Sequence, residues 1–410
     1  MPPAAKYVII MFMKIANNLP IVIVILVLCA MIIVALTKHP ESADEGQAPV
    51  SEQTKLRVTG GKDWPMFRGE QRLLGRASGT FPDSLELAWK FRTDGSIKSS
   101  PVIVDDRVFV GSSDANVYSI DLETGEQVWS YKTDDAIEAT PCVVNGMIFI
   151  GSLGNILYAI DANNGTLKWK YQTEGKILGA ANWTYAPDGF NVRVLIGSYD
   201  NILHCVDSKN GEVVWTYKTD NYINGSPAVE NNIAVFGGCD ALIHAISLVN
   251  GDKITEIDTS SFIAASPAFL NGQVYVGNYE NVFIKADIIT GQIVWKYTGS
   301  DAPFFSSPAV GDKVVVIGSR DQYLHCIDRD SGTMLWKFQT LGEVDSSPVI
   351  CGDKVIFGSE DGRVYMVRLS DGTKVWSYEI GQAVTSSPAV AKGAVIIGSD
   401  DGYVYAFGAK

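Results

Sequence analysis

Residues 100–129 read SPVIVDDRVFVGSSDANVYSIDLETGEQVW, and this stretch decides the fold because the chain repeats it. It returns seven more times with changes, and the last copy is cut short. A tryptophan stands four residues after a glycine in most copies, although Thr255 takes its place after Gly251. Counted from Trp89, these positions are separated by 40, 40, 46, 40, 40, 41 and 40 residues. A period of about 40 residues is typical of a propeller or a solenoid.

Each unit predicts four short antiparallel strands. Residues 99–104 and 107–111 are rich in β-branched side chains, and Asp105-Asp106 between them is a two-residue hairpin signal. Residues 116–121 alternate and end at a glycine turn, and a fourth run holds the tryptophan. Four such strands in about 40 residues make one propeller blade. Helical spacing is absent from the units, which excludes a helical solenoid.

The two ends of the repeat region predict how the ring closes. After Trp376 the chain supplies three more strands, within residues 384–409, and before the first full unit it supplies one, residues 86–93. Three strands and one strand complete an eighth blade, and closure removes exposed sheet edges. We therefore expect an all-β, eight-bladed propeller of four-stranded antiparallel blades, in which strand 86–93 pairs with strands 384–409.

The repeated tryptophans are expected to fill the gaps between neighbouring blades. Removal of one such side chain should cost roughly 3–5 kcal/mol, as for other core aromatics. The predicted blade-docking residues are Trp89, Trp129, Trp169, Trp215, Trp295, Trp336 and Trp376.

The segment before the repeats predicts a membrane tether. Residues 19–36 form an uncharged apolar run long enough for a transmembrane helix, with Lys14 before it and acidic residues after it. We expect residues 1–18 in the cytoplasm, residues 19–36 as a transmembrane anchor or signal, residues 37–62 as a flexible linker and residues 63–410 as the propeller. This arrangement places the propeller in the periplasm of a bacterial envelope, anchored in the inner membrane. A secreted form or a lipoprotein is the alternative.

Composition excludes one class of partner. The formal net charge is −13, and no run of Lys or Arg offers the basic surface that nucleic acid requires. The six cysteines occur singly, with no CxxC or adjacent pair, so they are interpreted as small buried side chains. We expect a monomer that binds envelope proteins.

Several motifs resemble one family. The Ser-Pro start of a unit, the Gly-Ser hairpin exit, the Asp-x-x-Thr/Asn-Gly turn and the Gly-x3-Trp spacing are similar to the PQQ-like β-propeller repeat. The opening Asp63-Trp-Pro-Met-Phe-Arg-Gly69 resembles the lead-in of bacterial members, and we expect it to pack on the propeller. The likeness covers residues 63–410. The family includes quinoprotein alcohol dehydrogenases and the outer-membrane assembly lipoprotein BamB, so the resemblance implies the fold and leaves the function open.

The enzymes of that family imply a quinone stacked on tryptophan, a calcium ion held by Glu and Asn, a catalytic Asp and a pair of adjacent cysteines. This chain has no adjacent cysteines and has short units without long roofing loops. No residue matches the family's catalytic or calcium-binding motifs. We therefore assign no catalytic, cofactor-binding or metal-binding residue, and PQQ and calcium enter only under an alternative hypothesis.

Two sets of polar residues resemble sites but have simpler interpretations. His204, His244 and His325 occupy the position that Tyr118 holds in the first unit, which favours packed side chains over the converging ligands that zinc needs. Recurrent aspartates before the glycine turns are interpreted as turn formers that bind nearby backbone N–H groups. They are Asp121, Asp161, Asp207, Asp287 and Asp328.

Departures from the repeat give the candidate binding residues. Residues 182–190 carry six extra residues in a first-to-second-strand hairpin, and residues 300–305 add two in a join between units. These loops are expected on opposite faces of the propeller. Aromatic anchors carry much of the energy of protein interfaces. The candidate partner-binding residues are Trp183, Tyr185, Phe190, Phe304 and Phe305.

The residue three positions before each strand proline, or its equivalent, is expected to line the central funnel. Around the ring these residues are Lys98, Glu138, Leu178, Asn224, Ala264, Phe305, Asp345 and Thr385. Their mixed chemistry indicates no ligand class.

The resulting hypothesis is a non-catalytic, membrane-tethered, periplasm-facing propeller that acts as a protein-interaction scaffold, BamB-like in envelope or outer-membrane protein assembly. Two alternatives remain open. One is a PQQ-dependent quinoprotein oxidoreductase, and the other is a sensor whose funnel binds a small molecule or a glycan.

Overall fold

A computed structural model describes residues 55–59 and 61–409. Within them, eight antiparallel sheets of four strands follow one another along the chain, and one sheet gains a short fifth strand. The first strand of each blade is the innermost and the fourth lies at the outer edge. The predicted eight-bladed propeller is confirmed.

The strands have the following bounds. Before the first full blade lie β1 (Arg76–Ala77) and β2 (Glu86–Arg92). Blades 1 to 4 comprise β3 (Val102–Val104), β4 (Arg107–Gly111), β5 (Asn116–Asp121), β6 (Gln127–Lys132); β7 (Cys142–Val144), β8 (Met147–Gly151), β9 (Ile156–Asp161), β10 (Leu167–Gln172); β11 (Asn182–Tyr185), β12 (Val192–Gly197), β13 (Ile202–Asp207), β14 (Val213–Lys218); β15 (Ala228–Glu230), β16 (Ile233–Gly237), β17 (Leu242–Ser247) and β18 (Lys253–Asp258). Blades 5 to 8 comprise β19 (Ala268–Leu270), β20 (Gln273–Gly277), β21 (Phe283–Asp287), β22 (Gln292–Tyr297); β23 (Ala309–Val310), β24 (Val314–Gly318), β25 (Tyr323–Asp328), β26 (Met334–Gln339); β27 (Val349–Cys351), β28 (Lys354–Ser359), β29 (Arg363–Arg368), β30 (Lys374–Glu379); β31 (Ala389–Ala391), β32 (Ala394–Gly398) and β33 (Tyr403–Gly408).

The ring closes through its two ends, as predicted. Strand β2 pairs antiparallel with β33, so that Trp89 lies opposite Ala406 and Arg92 lies opposite Tyr403. The sheet order β2-β33-β32-β31 is therefore that of a complete blade 8. The last strand of this blade comes from a segment about 300 residues earlier in the chain, so both ends of the repeat region must be present for the ring to close.

The tryptophan of one blade packs on the glycine turn of the next. Trp89 is 1% exposed, and its Nε1 donates to the Leu122 carbonyl at 2.9 Å. Gly125 has a positive φ of 74°, and a Cβ there would lie 2.6 Å from the Trp89 ring, so two constraints require glycine. The same Nε1-to-carbonyl bond recurs for Trp129, Trp169, Trp215, Trp295 and Trp336.

Two blade contacts differ from this pattern. Trp376 packs edge-on against Phe407, with 5.3 Å between ring centroids, because blade 8 has no glycine turn before its fourth strand. Between blades 4 and 5, Thr255 takes the place of the tryptophan beside Gly291, and a Cβ added to Gly291 would lie 3.4 Å from Thr255 Oγ1. The smaller side chain leaves less apolar contact there than a tryptophan supplies.

The first strands are shorter than the predicted run 99–104. Strand β3 begins at Val102, because the residues before it hydrogen-bond to the neighbouring blade instead. Ser99 Oγ donates to the Ala139 carbonyl at 2.8 Å, and Ser100 N donates to Thr140 Oγ1 at 3.3 Å. These residues connect two blades rather than extend one sheet.

Residues 63–77, which we call the plug, close one end of the central channel. Trp64 forms a β-bridge with Ile103 of blade 1, and β1 runs parallel to β27 of blade 7. Between them, the backbone carbonyls of the plug accept hydrogen bonds from the first strands of blades 2, 4, 5, 6 and 7; the donors are Val143, Val229, Phe269, Val310 and Ile350. The predicted packing of the lead-in segment on the propeller is confirmed.

Most of the segment before the plug lies outside the described residues, and so do the predicted cytoplasmic segment 1–18 and anchor 19–36. Within residues 55–59 and 61–409, no helix combines the length and apolar character needed to cross a bilayer. The end of the predicted linker differs from the prediction. Leu56 is buried, its N–H donates to the Glu123 carbonyl, and Thr59 N donates to the Lys392 carbonyl, so residues 55–59 pack on blades 1 and 8.

Candidate functional site

The eight residues predicted to line the funnel surround one cavity on the channel axis. All of them, from Lys98 to Thr385, contribute to its wall. The joins between successive blades lie at this end of the channel, which we call the mouth face. The volume is about 190 Å³. Pockets that enclose a drug-sized ligand usually measure roughly 300–1,000 Å³, so this cavity is too small to bury one.

A chain of hydroxyl groups surrounds the cavity just below the mouth. The residue before each strand proline accepts a hydrogen bond from the backbone N–H of the equivalent residue in the preceding blade. Ser387 N donates to Ser100 Oγ at 3.0 Å across the closing blade, and Ser347 N donates to Ser387 Oγ at 2.9 Å. Ala180 interrupts the chain because it has no hydroxyl. The other acceptors are Thr140, Ser226, Ser266, Ser307 and Ser347.

The plug forms the floor of the cavity. Phe67 lines it, and the neighbouring Arg68 is 1% exposed. The Arg68 guanidinium donates to the Ser347 carbonyl at 2.9 Å, to the Pro308 carbonyl at 3.1 Å and to the Pro348 carbonyl. Burial lowers the pKa of Arg68 to about 9. Arg68 was not among the residues predicted to form a site, although an arginine between the apolar residues of the lead-in segment was a signal for it.

Five aromatic rings from four successive blades form a band on the mouth face, which we call the aromatic arc. Tyr199 and Tyr222 stack with centroids 4.7 Å apart and planes 6° apart. Phe262 lies 6.3 Å from Tyr279, which lies 4.8 Å from Phe305 at the cavity wall. Of these, Tyr222 is 47% exposed and Phe262 is 51% exposed. Large apolar side chains that stay in water together mark a binding surface.

Four carboxylates from blades 7 and 8 continue the ring of the mouth face, and we call them the acidic arc: Glu343, Asp345, Glu360 and Asp400. Carboxylate oxygens of the first three lie within 4.8 Å of one another. Partial burial and the negative charges of Asp345 and Glu343 raise the pKa of Glu360. Partial burial likewise raises the pKa of Asp400.

Arg320 joins the two arcs. Its guanidinium lies 3.6 Å from the Phe305 ring centroid, a cation–π geometry. It also pairs with Asp345 at 2.7 Å and with Glu343 at 3.1 Å. Arg320 faces Asp345, Glu343 and Glu360, whereas Lys98, which pairs with Glu138, lies near Asp400. Two cations among these five carboxylates leave this part of the mouth face negative.

The predicted partner-binding residues fall on two faces, as expected. Trp183 and Tyr185 lie beside the plug, where Gln71 Nε2 donates to the Trp183 carbonyl at 2.7 Å. Tyr185 is 50% exposed and Phe190 is 86% exposed at the end of that hairpin. On the mouth face, Phe305 belongs to the aromatic arc.

Phe304 requires a correction. It is fully buried and lies 6.0 Å from both Phe283 and His325, measured between ring centroids. It packs between blades 5 and 6, because its side chain points away from the mouth while that of Phe305 points toward it. Phe304 therefore cannot contact a partner.

The histidines are packed side chains, as interpreted from the repeat. His325 is fully buried, its Nε2 lies 3.0 Å from an Asp321 carboxylate oxygen, and its Nδ1 lies 2.9 Å from the Tyr297 hydroxyl of the preceding blade. His204 and His244 repeat this arrangement with Asp200 and Asp240. Each histidine thus connects two blades.

The turn aspartates also behave as predicted. Asp121 Oδ1 accepts from the backbone N–H groups of Glu123 and Thr124, and Asp328 does the same in its own turn.

The cysteines are mainly core side chains. Burial raises the pKa of Cys142 to about 12, so its thiol stays protonated and unreactive. Cys205, Cys326 and Cys351 are also buried, and Cys239 is half-buried beside the aromatic arc.

The residues at the mouth do not fit a stacked quinone cofactor. The only aromatic side chains among the cavity-lining residues are Phe67 and Phe305. All nine tryptophans lie in the described residues and none lines the cavity; they lie at blade contacts, on the plug or in the 182–190 hairpin. The clustered carboxylates have the oxygen ligands that a cation prefers, but Arg320 already pairs with two of them.

Comparison with known proteins agrees with the geometry. The model of a family described as beta-alanine-activating enzyme, beta-propeller, matches residues 183–410, which is more than half of the chain. The chain belongs to this β-propeller family. A second model, described as outer membrane protein assembly factor BamB, matches residues 75–186 of the same propeller. The resemblance to PQQ-like repeat proteins is thereby confirmed.

Solved structures similar to this β-propeller include a BamB protein and alcohol and methanol dehydrogenases. BamB from Moraxella catarrhalis is 19% identical, with a TM-score of 0.67 over 80% of this chain and 100% of that one. Quinohemoprotein alcohol dehydrogenase from Comamonas testosteroni is 14% identical, with a TM-score of 0.70 over 84% and 80%. A europium-containing methanol dehydrogenase is 13% identical, with a TM-score of 0.71 over 85% and 98%. No curated protein matches the chain significantly. Identities this low show the fold alone.

Proposed function

We propose that this propeller is a non-catalytic scaffold that binds other proteins of the bacterial cell envelope, in the manner suggested by its likeness to BamB. One observation carries the proposal: the mouth face combines an exposed aromatic arc with a cavity of only about 190 Å³. Such a face suits a macromolecule that lies across it better than a substrate that must be enclosed.

The sequence supports the proposed location. The apolar run at residues 19–36 would hold the chain at the inner membrane, and residues 37–54 would give the propeller reach into the periplasm. The BamB match over residues 75–186 supports an envelope setting.

The experiment is chemical cross-linking in intact cells that express the tagged full chain, followed by purification and mass spectrometry. A chain truncated after residue 54 and carrying the same tag is the matched control. We expect envelope proteins to be cross-linked to the full chain and absent from the control. Recovery of the same proteins with both chains would contradict the scaffold role.

The quinoprotein oxidoreductase is the second candidate, because enzymes of that class share the fold. The cavity lacks the tryptophan on which a quinone would stack, so the residues present do not support it. Addition of PQQ and calcium to the purified full chain should therefore produce neither a bound chromophore nor reduction of a dye with alcohols. A stoichiometric chromophore would favour the enzyme over the scaffold.

A further inference from the structure

The two arcs on the mouth face lie side by side, and together they define the chemistry of a partner. In each blade, two loops reach this face, and a backbone hydrogen bond pairs them; Tyr279 N donates to the Phe262 carbonyl at 3.0 Å, and Glu360 N donates to the Glu343 carbonyl at 2.9 Å. At these two positions, blades 3 to 5 carry four aromatic residues beside Lys176 and Cys239: Tyr199, Tyr222, Phe262 and Tyr279. Blade 6 carries Pro303 and Arg320, and blades 7 and 8 carry Glu343, Glu360 and Asp400 beside Ala383. The mouth face therefore carries an apolar half, the aromatic arc, and an anionic half, the acidic arc, side by side.

The aromatic half is in direct contact with the cavity wall. Tyr279 connects the exposed Phe262 to Phe305, which lines the cavity. A ligand segment that contacts Phe262 and Tyr222 would thus be led toward the channel mouth. Large, rigid aromatic side chains supply much contact area with little loss of conformational entropy.

The acidic half favours a cationic occupant. The raised pKa of Glu360 reflects both partial burial and repulsion by Asp345 and Glu343. A cationic group placed there would relieve that repulsion and would meet carboxylates in a partly desolvated setting, where charge pairs are stronger than in open water. Arg320 shows that a guanidinium suits this position, because it already contacts both Asp345 and the Phe305 ring.

We propose that the mouth face binds a polypeptide segment in which Arg or Lys residues stand beside aromatic or large apolar residues. The aromatic arc takes the apolar side chains, and the acidic arc takes the basic ones. A neutral polysaccharide would use the aromatic rings and donate hydroxyl hydrogen bonds to the carboxylates, but it would not neutralise their charge. The charge complementarity therefore favours a basic polypeptide. This inference rests on the proposed scaffold function and names the chemistry of its partner.

The test is fluorescence anisotropy with the full chain and a labelled short peptide that alternates Arg with Phe and Leu. One reference peptide replaces Arg by Glu, and another replaces Phe and Leu by Gly. We expect the Arg-Phe-Leu peptide to bind at least about tenfold more tightly than either reference, a difference of about 1.4 kcal/mol in binding free energy. High salt should weaken its binding.

Paired variants locate the contact. Tyr222→Ala with Phe262→Ala should weaken binding about tenfold, whereas Phe190→Ala, which removes a more exposed ring from the hairpin beside the plug, should leave it unchanged. Glu360→Gln with Asp400→Asn should weaken binding about fivefold at low salt and less at high salt. Glu212→Gln, an exposed acid in a turn between third and fourth strands, is the matched control.

Three results would overturn the inference. The Glu peptide could bind as tightly as the Arg peptide, or the control variants could weaken peptide binding as much as the variants of the two arcs. A neutral cello-oligosaccharide could also bind and lose as much affinity as the peptide when Phe262 is replaced. Its failure is distinguishable from failure of the scaffold role. Envelope proteins that are still cross-linked to the Tyr222→Ala, Phe262→Ala chain would leave the scaffold role intact and would exclude this face as its site. Selective peptide binding without any cross-linked envelope protein would support the peptide site on the mouth face and contradict the scaffold role.

Discussion

Replacement of Arg68 by methionine tests whether the plug holds the ring together. In the native chain the guanidinium donates to three buried carbonyls, two in blade 7 and one in blade 6, those of Ser347, Pro348 and Pro308. The side chain is buried between the plug and blades 6 and 7, and methionine fills a similar length without any donor. The substitution therefore removes the hydrogen bonds while most of the packing is retained.

The expected loss follows from those three acceptors. A buried carbonyl left without a donor costs about 1–3 kcal/mol, so three of them would cost about 3–9 kcal/mol. Removal of the guanidinium also removes its desolvation cost, which is what lowers the pKa of Arg68 to about 9. Because this gain offsets part of the loss, we expect a net destabilisation of about 3 kcal/mol.

Urea unfolding followed by tryptophan fluorescence measures the effect. Arg72→Met is the matched control, since Arg72 lies in the same segment but is more than a third exposed, and it pairs with the partly exposed Glu70 at 2.8 Å and more loosely with Glu230 at 3.7 Å. We expect that control to lose at most about 1 kcal/mol. If Arg68→Met unfolds at the same urea concentration as Arg72→Met, the three hydrogen bonds from Arg68 to the carbonyls do not stabilise the ring.

Three further changes have defined outcomes. Ala180→Ser should complete the chain of hydroxyls around the channel and add about 1 kcal/mol to the free energy of unfolding; an unchanged urea midpoint would contradict it. Thr255→Trp should add contact area over Gly291, where Thr255 Oγ1 is the only atom of the described residues near an added Cβ, and raise stability by about 1–2 kcal/mol; a lower urea midpoint would contradict it. The pKa of Asp321 lies below its ordinary value. Burial raises this pKa, but the hydrogen bond from His325 and the charge of that ring together lower it by more than burial raises it. A carboxyl with a lowered folded pKa stabilises the fold above its unfolded pKa of about 4, and this stability is lost as pH falls through the folded value. His325→Phe should thus lower the melting temperature at neutral pH and flatten its decline below about pH 4; parallel melting curves for both chains would refute this.

The candidate site was partly predictable. The residues around the cavity could be named from the sequence because every strand proline gives the same register, so the residue three positions earlier occupies the same place in each blade. Phe305 was found this way and from the extra residues in its loop. Phe304 was assigned to the surface in error, because adjacent residues in an extended segment point to opposite sides.

The rest of the site depends on contacts between blades. Tyr199 and Tyr222 lie in different repeat units, and their stacking depends on the angle between two blades, which no single unit encodes. The pairing of Arg320 of blade 6 with Glu343 and Asp345 of blade 7 likewise depends on how two blades meet. Single exposed aromatics are common on surfaces, so no residue of the arc was conspicuous before its neighbours were placed beside it.

The sequence alone determined that the chain forms eight blades and that residues 86–93 complete the last one, because a constant repeat allows the strands to be counted and leaves three at one end and one at the other. The structure was needed to show that Arg68 is buried against blades 6 and 7 and that the mouth face is aromatic on one side and acidic on the other. The physical reason is that strand periodicity and turn chemistry act within one unit, whereas the burial of a guanidinium and the grouping of charges depend on atoms that different blades bring together when the ring closes.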